Sequence, residues 1–108
     1  MNHEHTELKI VNNEVAQRWE AHLGQHLAVA EYRRRGDTIF FIHTEVPTAL
    51  EGQGIASRLV QTALEDVRAQ QLAVIPFCPF VAAYIRRHPA YKAFVPPDYR
   101  DLVEETPG

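Results

Sequence analysis

The stretch Thr38-Ile39-Phe40-Phe41-Ile42-His43-Thr44-Glu45-Val46, and the Glu51-Gly52-Gln53-Gly54-Ile55-Ala56 that soon follows it, decide how this chain folds. The first is β-branched and aromatic and reads as a strand. After the second, Ile55, Leu59, Val60, Ala63, Leu64 and Val67 recur at the spacing of one helix face, which predicts a helix over roughly 52–70. A strand that turns through two glycines into a helix leaves several backbone N–H groups unpaired at the helix start. Together with the positive end of the helix dipole, those donors form a site for phosphate. Gly52 and Gly54 remove the side chains that would keep an anion from the backbone. The alternative is a tight strand-to-helix turn with no ligand.

On the N-terminal side, Gln17-Arg18-Trp19-Glu20-Ala21-His22-Leu23 alternates, with Trp19, Ala21 and Leu23 on one face. Gly24-Gln25 supplies a turn, and Leu27-Ala28-Val29-Ala30-Glu31-Tyr32 a second strand. Arg35-Gly36-Asp37 is a second turn, with Arg33-Arg34-Arg35 as a basic hairpin tip. These three strands are expected to be antiparallel neighbours. On the other side, the helix is followed by the short strand Leu72-Ala73-Val74-Ile75, a βαβ crossover that makes the last two strands parallel. A further helix runs from Pro79 to Arg87 with proline at its first turn. The expected fold class is α/β (α+β): a mixed sheet of antiparallel N-terminal strands, then a βαβ crossover, with a helix on each face.

Pro47 and Pro76 refine this picture. Neither can donate to a ladder, and both fall at the C-terminal ends of strands expected to lie parallel. The strands are predicted to part there, opening a cleft between Val46-Pro47 and Pro76-Phe77-Cys78, where open α/β sheets bind their ligands.

The 108 residues fit one domain, with an ordered core over about 8–95, a polar first dozen residues prone to fray and a flexible Pro-rich, acidic C-terminal tail. A formal charge of −3 argues against a backbone-binding nucleic-acid protein. No apolar run approaches membrane-spanning length, so no membrane partner is expected, and the single cysteine suits a reducing, cytoplasmic setting. His3, His5, His22 and His26 lack metal-ligand spacing, so no metal is expected.

These elements resemble the acetyl-CoA-binding core of the GNAT N-acetyltransferases. The string His43-Thr44-Glu45-Val46-Pro47, Gly52-Gln53-Gly54-Ile55-Ala56, Pro76-Phe77-Cys78-Pro79-Phe80-Val81 and Tyr84-Ile85-Arg86-Arg87-His88-Pro89 is similar to a minimal, single-domain branch of about one hundred residues. The likeness spans about residues 15–95. It implies coenzyme A as co-substrate, with pyrophosphate on the backbone of Gly52, Gln53, Gly54, Ile55, Ala56 and Ser57. The pantetheine arm would lie beside Val46, with Cys78 and Tyr84 at its far end. Three departures stand out: Glu51 where the family has Gln or Arg, no Asn before the last helix, and no helices between the first strands to wall an acceptor site.

Acetyl transfer needs a neutral amine, a stabilised oxyanion and a proton for the departing thiolate. Cys78, at a helix N-terminus, is either an acetyl-carrying nucleophile or a small residue lining the cleft. His43 and Glu45, two apart on one strand, share a face near the cleft. Either could serve as general base toward the amine or toward Cys78, or play a structural part. Tyr84 is similar in position to the tyrosine with which many members protonate the thiolate, or is an amphipathic core residue. Arg86 and Arg87 read as a solvated helix end. The expected function is N-acetyl transfer from acetyl-CoA to an unidentified amine, a protein or peptide among the candidates, by a monomer or weak homodimer. The alternative is a non-catalytic CoA-binding sensor or interaction module.

Overall fold

A computed structural model of the chain describes residues 7–104. Its strands are β1 (Lys9–Asn13), β2 (Arg18–Leu23), β3 (His26–Arg35), β4 (Thr38–Glu45) and β5 (Ala73–Pro76), and its helices α1 (Ile55–Gln70) and α2 (Pro79–Arg87). The strands form one sheet in the order β1-β2-β3-β4-β5. The pairings β1–β2, β2–β3 and β3–β4 are antiparallel and β4–β5 is parallel, so the expected mixed sheet with its crossover is present. Three short 3₁₀ segments, Thr48–Leu50, Pro89–Phe94 and Pro97–Val103, complete the chain.

The core lies on one face of the sheet. Trp19 and Ala21 of β2, Ala28, Ala30 and Tyr32 of β3, Ile39 and Phe41 of β4 and Val74 of β5 meet the apolar stripe of α1. That stripe is the six residues read from the periodicity, all buried. Val81, Ala82, Tyr84 and Ile85 of α2 enter the same cluster. The Tyr91 hydroxyl, just past α2, donates to Glu65 of α1. The two helices therefore lie side by side on one face, which corrects the expectation of one on each. The β4–α1–β5 crossover carries α1 over that face, and α2 shares its core.

Four further boundaries differ from the sequence reading. β1 pairs with β2 inside the stretch expected to fray; Leu8 and Ile10 pack against the core, and residues 1–6 lie outside the described part. α1 begins at Ile55 because Gly52 and Gly54 carry φ of 82° and 73° and cannot be helical. β3 runs through Arg35, so Arg33 and Arg34 are strand residues rather than a hairpin tip. Pro97–Val103 is anchored rather than loose: Val103 is fully buried, and Arg86 donates to the Leu102 carbonyl at 2.9 Å.

The register between β3 and β4 breaks at one point. Tyr32 pairs with Phe41 but Glu31 pairs with His43, so Ile42 is an extra residue in β4, a β-bulge. The bulge reverses the in–out parity of the strand end. Thr44, opposite buried Ala30, joins the core face, while His43 and Glu45 turn to the other face beside Glu31 and Val29.

Candidate functional site

Parallel pairing between β4 and β5 ends at Phe41 and Pro76. The last link is the Cys78 N–H donating to the Phe41 carbonyl at 2.8 Å. Pro76 lacks an N–H, and the Phe77 N–H turns back to the Ile75 carbonyl at 3.2 Å. β4 continues through Glu45 with β3 on one side and no strand on the other. A gap thus opens beyond Pro76, as its missing N–H predicts, while Pro47 stands six residues past Phe41, just after the end of β4.

Above the gap, the 3₁₀ turn Thr48–Leu50 delivers the chain to the glycine loop. Gly54 caps α1 in the left-handed region, and no side chain caps the helix. The first helical bond runs from Arg58 N–H to the Gly54 carbonyl at 3.1 Å. Among the described residues, the N–H groups of residues 52–57 have no hydrogen-bond partner. They border a pocket of about 290 Å³ walled by Val46, Leu50, Ile55 and Phe80. A Cβ at Gly52 or Gly54 would meet nothing within 4 Å, so glycine is required by φ, and open space stands in front of the backbone. Gln53 folds away, its amide donating to the Ala49 carbonyl at 3.2 Å. Glu51, on the rim, is exposed and adds a charge unfavourable to an anion. The donor set nonetheless fits a phosphate held by backbone rather than by side chains.

Cys78 is the N-cap of α2 and is 3% exposed. Its Sγ stands 3.3 Å from Thr44 Oγ1, and no hydrogen bond joins it to His43. His43 Nε2 lies 3.5 Å from Glu45 Oε1, both side chains largely exposed on the opposite face. The bulge at Ile42 accounts for this division by giving the cysteine Thr44 as a neighbour. Tyr84 is buried, its ring stacked 4.0 Å from His88 and facing Tyr91. Burial first, then the Glu65 carboxylate, pushes its hydroxyl above the ordinary tyrosine range. That hydroxyl makes no hydrogen bond among the described residues. None of Cys78, His43, Glu45 and Tyr84 lines the glycine-loop pocket.

On the open face, away from the helices, is a cluster that the sequence reading passed over. Glu20 is only 6% exposed, yet it accepts from Asn13 (3.0 Å) and Arg18 (2.7 Å) and meets His22 (2.9 Å). The Asn13 hydrogen bond, then those of Arg18 and His22, hold its carboxyl at about 2, against an ordinary 4.5. Arg18, Glu20 and His22 alternate along β2, so opposite charges at i and i+2 were the signal available. Beside α2, burial and the bond to Glu65 push Tyr91 to about 12. Among the described residues no group of three His, Cys, Asp or Glu side chains could hold a metal ion, and no helix is long and apolar enough to cross a membrane.

Residues 18–94, more than half of the chain, match the family model for GCN5-related N-acetyl-transferase. The chain is also similar to Protein NATD1 of Xenopus tropicalis, 35% identical over 52 residues that cover 48% of each chain. With Protein NATD1 of Gallus gallus and of Homo sapiens it is 38% identical over 47 residues, covering 44% of this chain and 43% and 42% of theirs. The chain thus spans a little under half the length of the relatives it matches.

Proposed function

Since the chain belongs to the GCN5-related N-acetyltransferase family, we propose that it binds acetyl-CoA in the β4–β5 gap and transfers the acetyl group to an amine, protein and peptide amines among the acceptors. The run of unpaired N–H groups over residues 52–57, at the start of a sixteen-residue helix, carries this reading. A diphosphate satisfies several of these donors at once and meets the positive helix end. The β4 edge beyond Phe41, left without a strand partner, has backbone groups for the amides of a pantetheine arm. Val46 and Phe80 supply its apolar walls. Bound there, acetyl-CoA supplies the thioester.

Transfer exchanges a C–S bond for a C–N bond, the amine losing one proton and the sulfur gaining one. His43 and Glu45 are the proposed acceptors of the first proton, and their exposure on the helix-free face supports this by leaving them open to an acceptor arriving from solvent. Tyr84, kept in its phenol form and without a hydrogen-bond partner, is the proposed donor of the second. Cys78 lines the gap, and its burial and Thr44 contact favour direct transfer over a cysteine-borne acetyl group. The same observation, with no helix linking β1, β2 and β3 to roof the open face, favours a second reading, a CoA-binding module without turnover.

Two measurements test this. CoA at a hundredfold excess over Kd stabilises the fold by about 2.7 kcal/mol; a flat melting curve contradicts both readings. Acetyl-CoA with a panel of amines and peptides releases thiol only when acceptor is present. The His43→Ala, Glu45→Gln double variant slows that release by about a hundredfold or more, with the CoA stabilisation intact. Stabilisation without acceptor-dependent release, or an unchanged rate in the double variant, contradicts the catalytic reading.

A further inference from the structure

The open face holds a second cavity, of about 280 Å³, whose lining differs in character from the glycine-loop pocket. Leu27, Val29 and Pro47 make an apolar floor, with Arg18 at one end and Glu45 at the other. The register explains the arrangement. Glu20, Val29 and Glu45 stand in one row across β2, β3 and β4. Arg18 leans into that row because its Nε is fixed on Glu20 at 2.7 Å. Among the described residues the terminal nitrogens of its guanidinium have no partner, and a third of its side chain stays exposed. Arg18, already paired with Glu20, therefore reaches from the neighbouring row, where Glu31 stands between it and His43. The far end of the row it reaches toward, Glu45, lies two strand spacings from Glu20, roughly 10 Å between backbones.

We propose that this cavity binds the acceptor, and that the acceptor is an amine carrying its own carboxylate. Arg18 receives the carboxylate through its two free nitrogens, the planar fork suited to it. The apolar floor takes the methylene spacer, and the ammonium comes to Glu45, next to His43, where it gives up one proton to solvent and becomes the neutral amine that attacks. Glu20 acts as a positioning residue, holding the guanidinium across the row. The substrate class rests on the acetyl-transfer reading; the binding itself does not. Two sources share this chemistry, a free amino acid with amine and carboxylate a few carbons apart and a peptide lysine beside an acidic residue.

The probes are 4-aminobutanoate and its uncharged amide, titrated into wild-type protein and Arg18→Gln and followed by amide chemical shifts at residues 27, 29 and 45. Wild type binds the acid at least tenfold more tightly than the amide; Arg18→Gln lowers that preference below about threefold. With acetyl-CoA present, the same ratio appears in the kcat/KM for thiol release. Blocked lysyl-glutamate against lysyl-glutamine dipeptides separates the sources: a preference seen only with the dipeptides assigns the carboxylate to a polypeptide. Equal binding of acid and amide and of both dipeptides by wild type overturns the proposal, whether or not Arg18→Gln folds. A preference that survives in folded Arg18→Gln overturns it as well. Loss of this discrimination with CoA stabilisation retained leaves the function proposed above standing, whereas absent CoA stabilisation strikes that reading alone.

Discussion

Glu20 is a carboxylate of the helix-free face, held at 6% exposure by three polar neighbours rather than by apolar packing. Because its folded-state value, about 2, lies below the ordinary 4.5, its contribution to stability is full above pH 4.5. It fades as pH falls toward 2, where the folded form also takes up a proton. Glu20→Gln is expected to cost about 1–3 kcal/mol at pH 7, and urea melts should show the gap from wild type closing between pH 4.5 and 2. A gap independent of pH would mean that shape rather than charge is lost. The sequence offered the alternation of Arg18, Glu20 and His22 but not the burial of Glu20, because polar residues at alternate positions read as the outward side of a strand. Similarly, nothing in Phe41-Ile42-His43 announces a bulge, whose cause lies in the pairing with β3. Parity beyond Ile42 was therefore not readable, and with it the separation of His43 from Cys78. That His43 and Glu45 share a face was legible, since both follow the bulge.

Among the elements, those with a strong period were legible and those relying on tertiary contact were not. α1 shows its six buried positions in the sequence, and β2, β3 and β4 alternate between glycine turns. β1 has only Ile10 and Val11 as apolar residues, with Leu8 just before it and Asn12 and Asn13 at its end, too short a pattern to distinguish from a polar lead-in. Pro97–Val103 begins with proline and carries charge, so the buried Val103 becomes visible only once α2 stands beside it. The glycine loop was legible because its conformation demands a residue type. Gly54 sits at φ 73° with open space where a Cβ would go, so Gly54→Ala should lose about 1 kcal/mol of stability from backbone strain alone. It should also weaken CoA binding by shifting the α1 cap, measured as a smaller CoA-induced rise in melting temperature than in wild type. A variant as stable as wild type, with full CoA response, would mean that the cap conformation is dispensable.

Taken as a whole, the molecule divides its two faces between stability and access. Both helices, the 3₁₀ turn Pro89–Phe94 and the buried side chains on the helix-facing side of the sheet form a single core. The opposite face keeps polar side chains, His43 and Glu45 among them, open to an approaching molecule. The gap between β4 and β5 is the passage from one to the other, and the unpaired N–H groups over residues 52–57 stand at its entrance. A fold of this size with so small a site depends on backbone rather than side chains to hold an anion, which makes its amides the direct reporters. The decisive measurement is a backbone amide NMR titration with CoA. The largest shifts, and slowed hydrogen exchange, are expected on residues 52–57, with a second set along Ile42–Val46. Saturating CoA that leaves residues 52–57 unmoved, or that perturbs only sites away from the gap, would contradict a diphosphate held by the glycine loop.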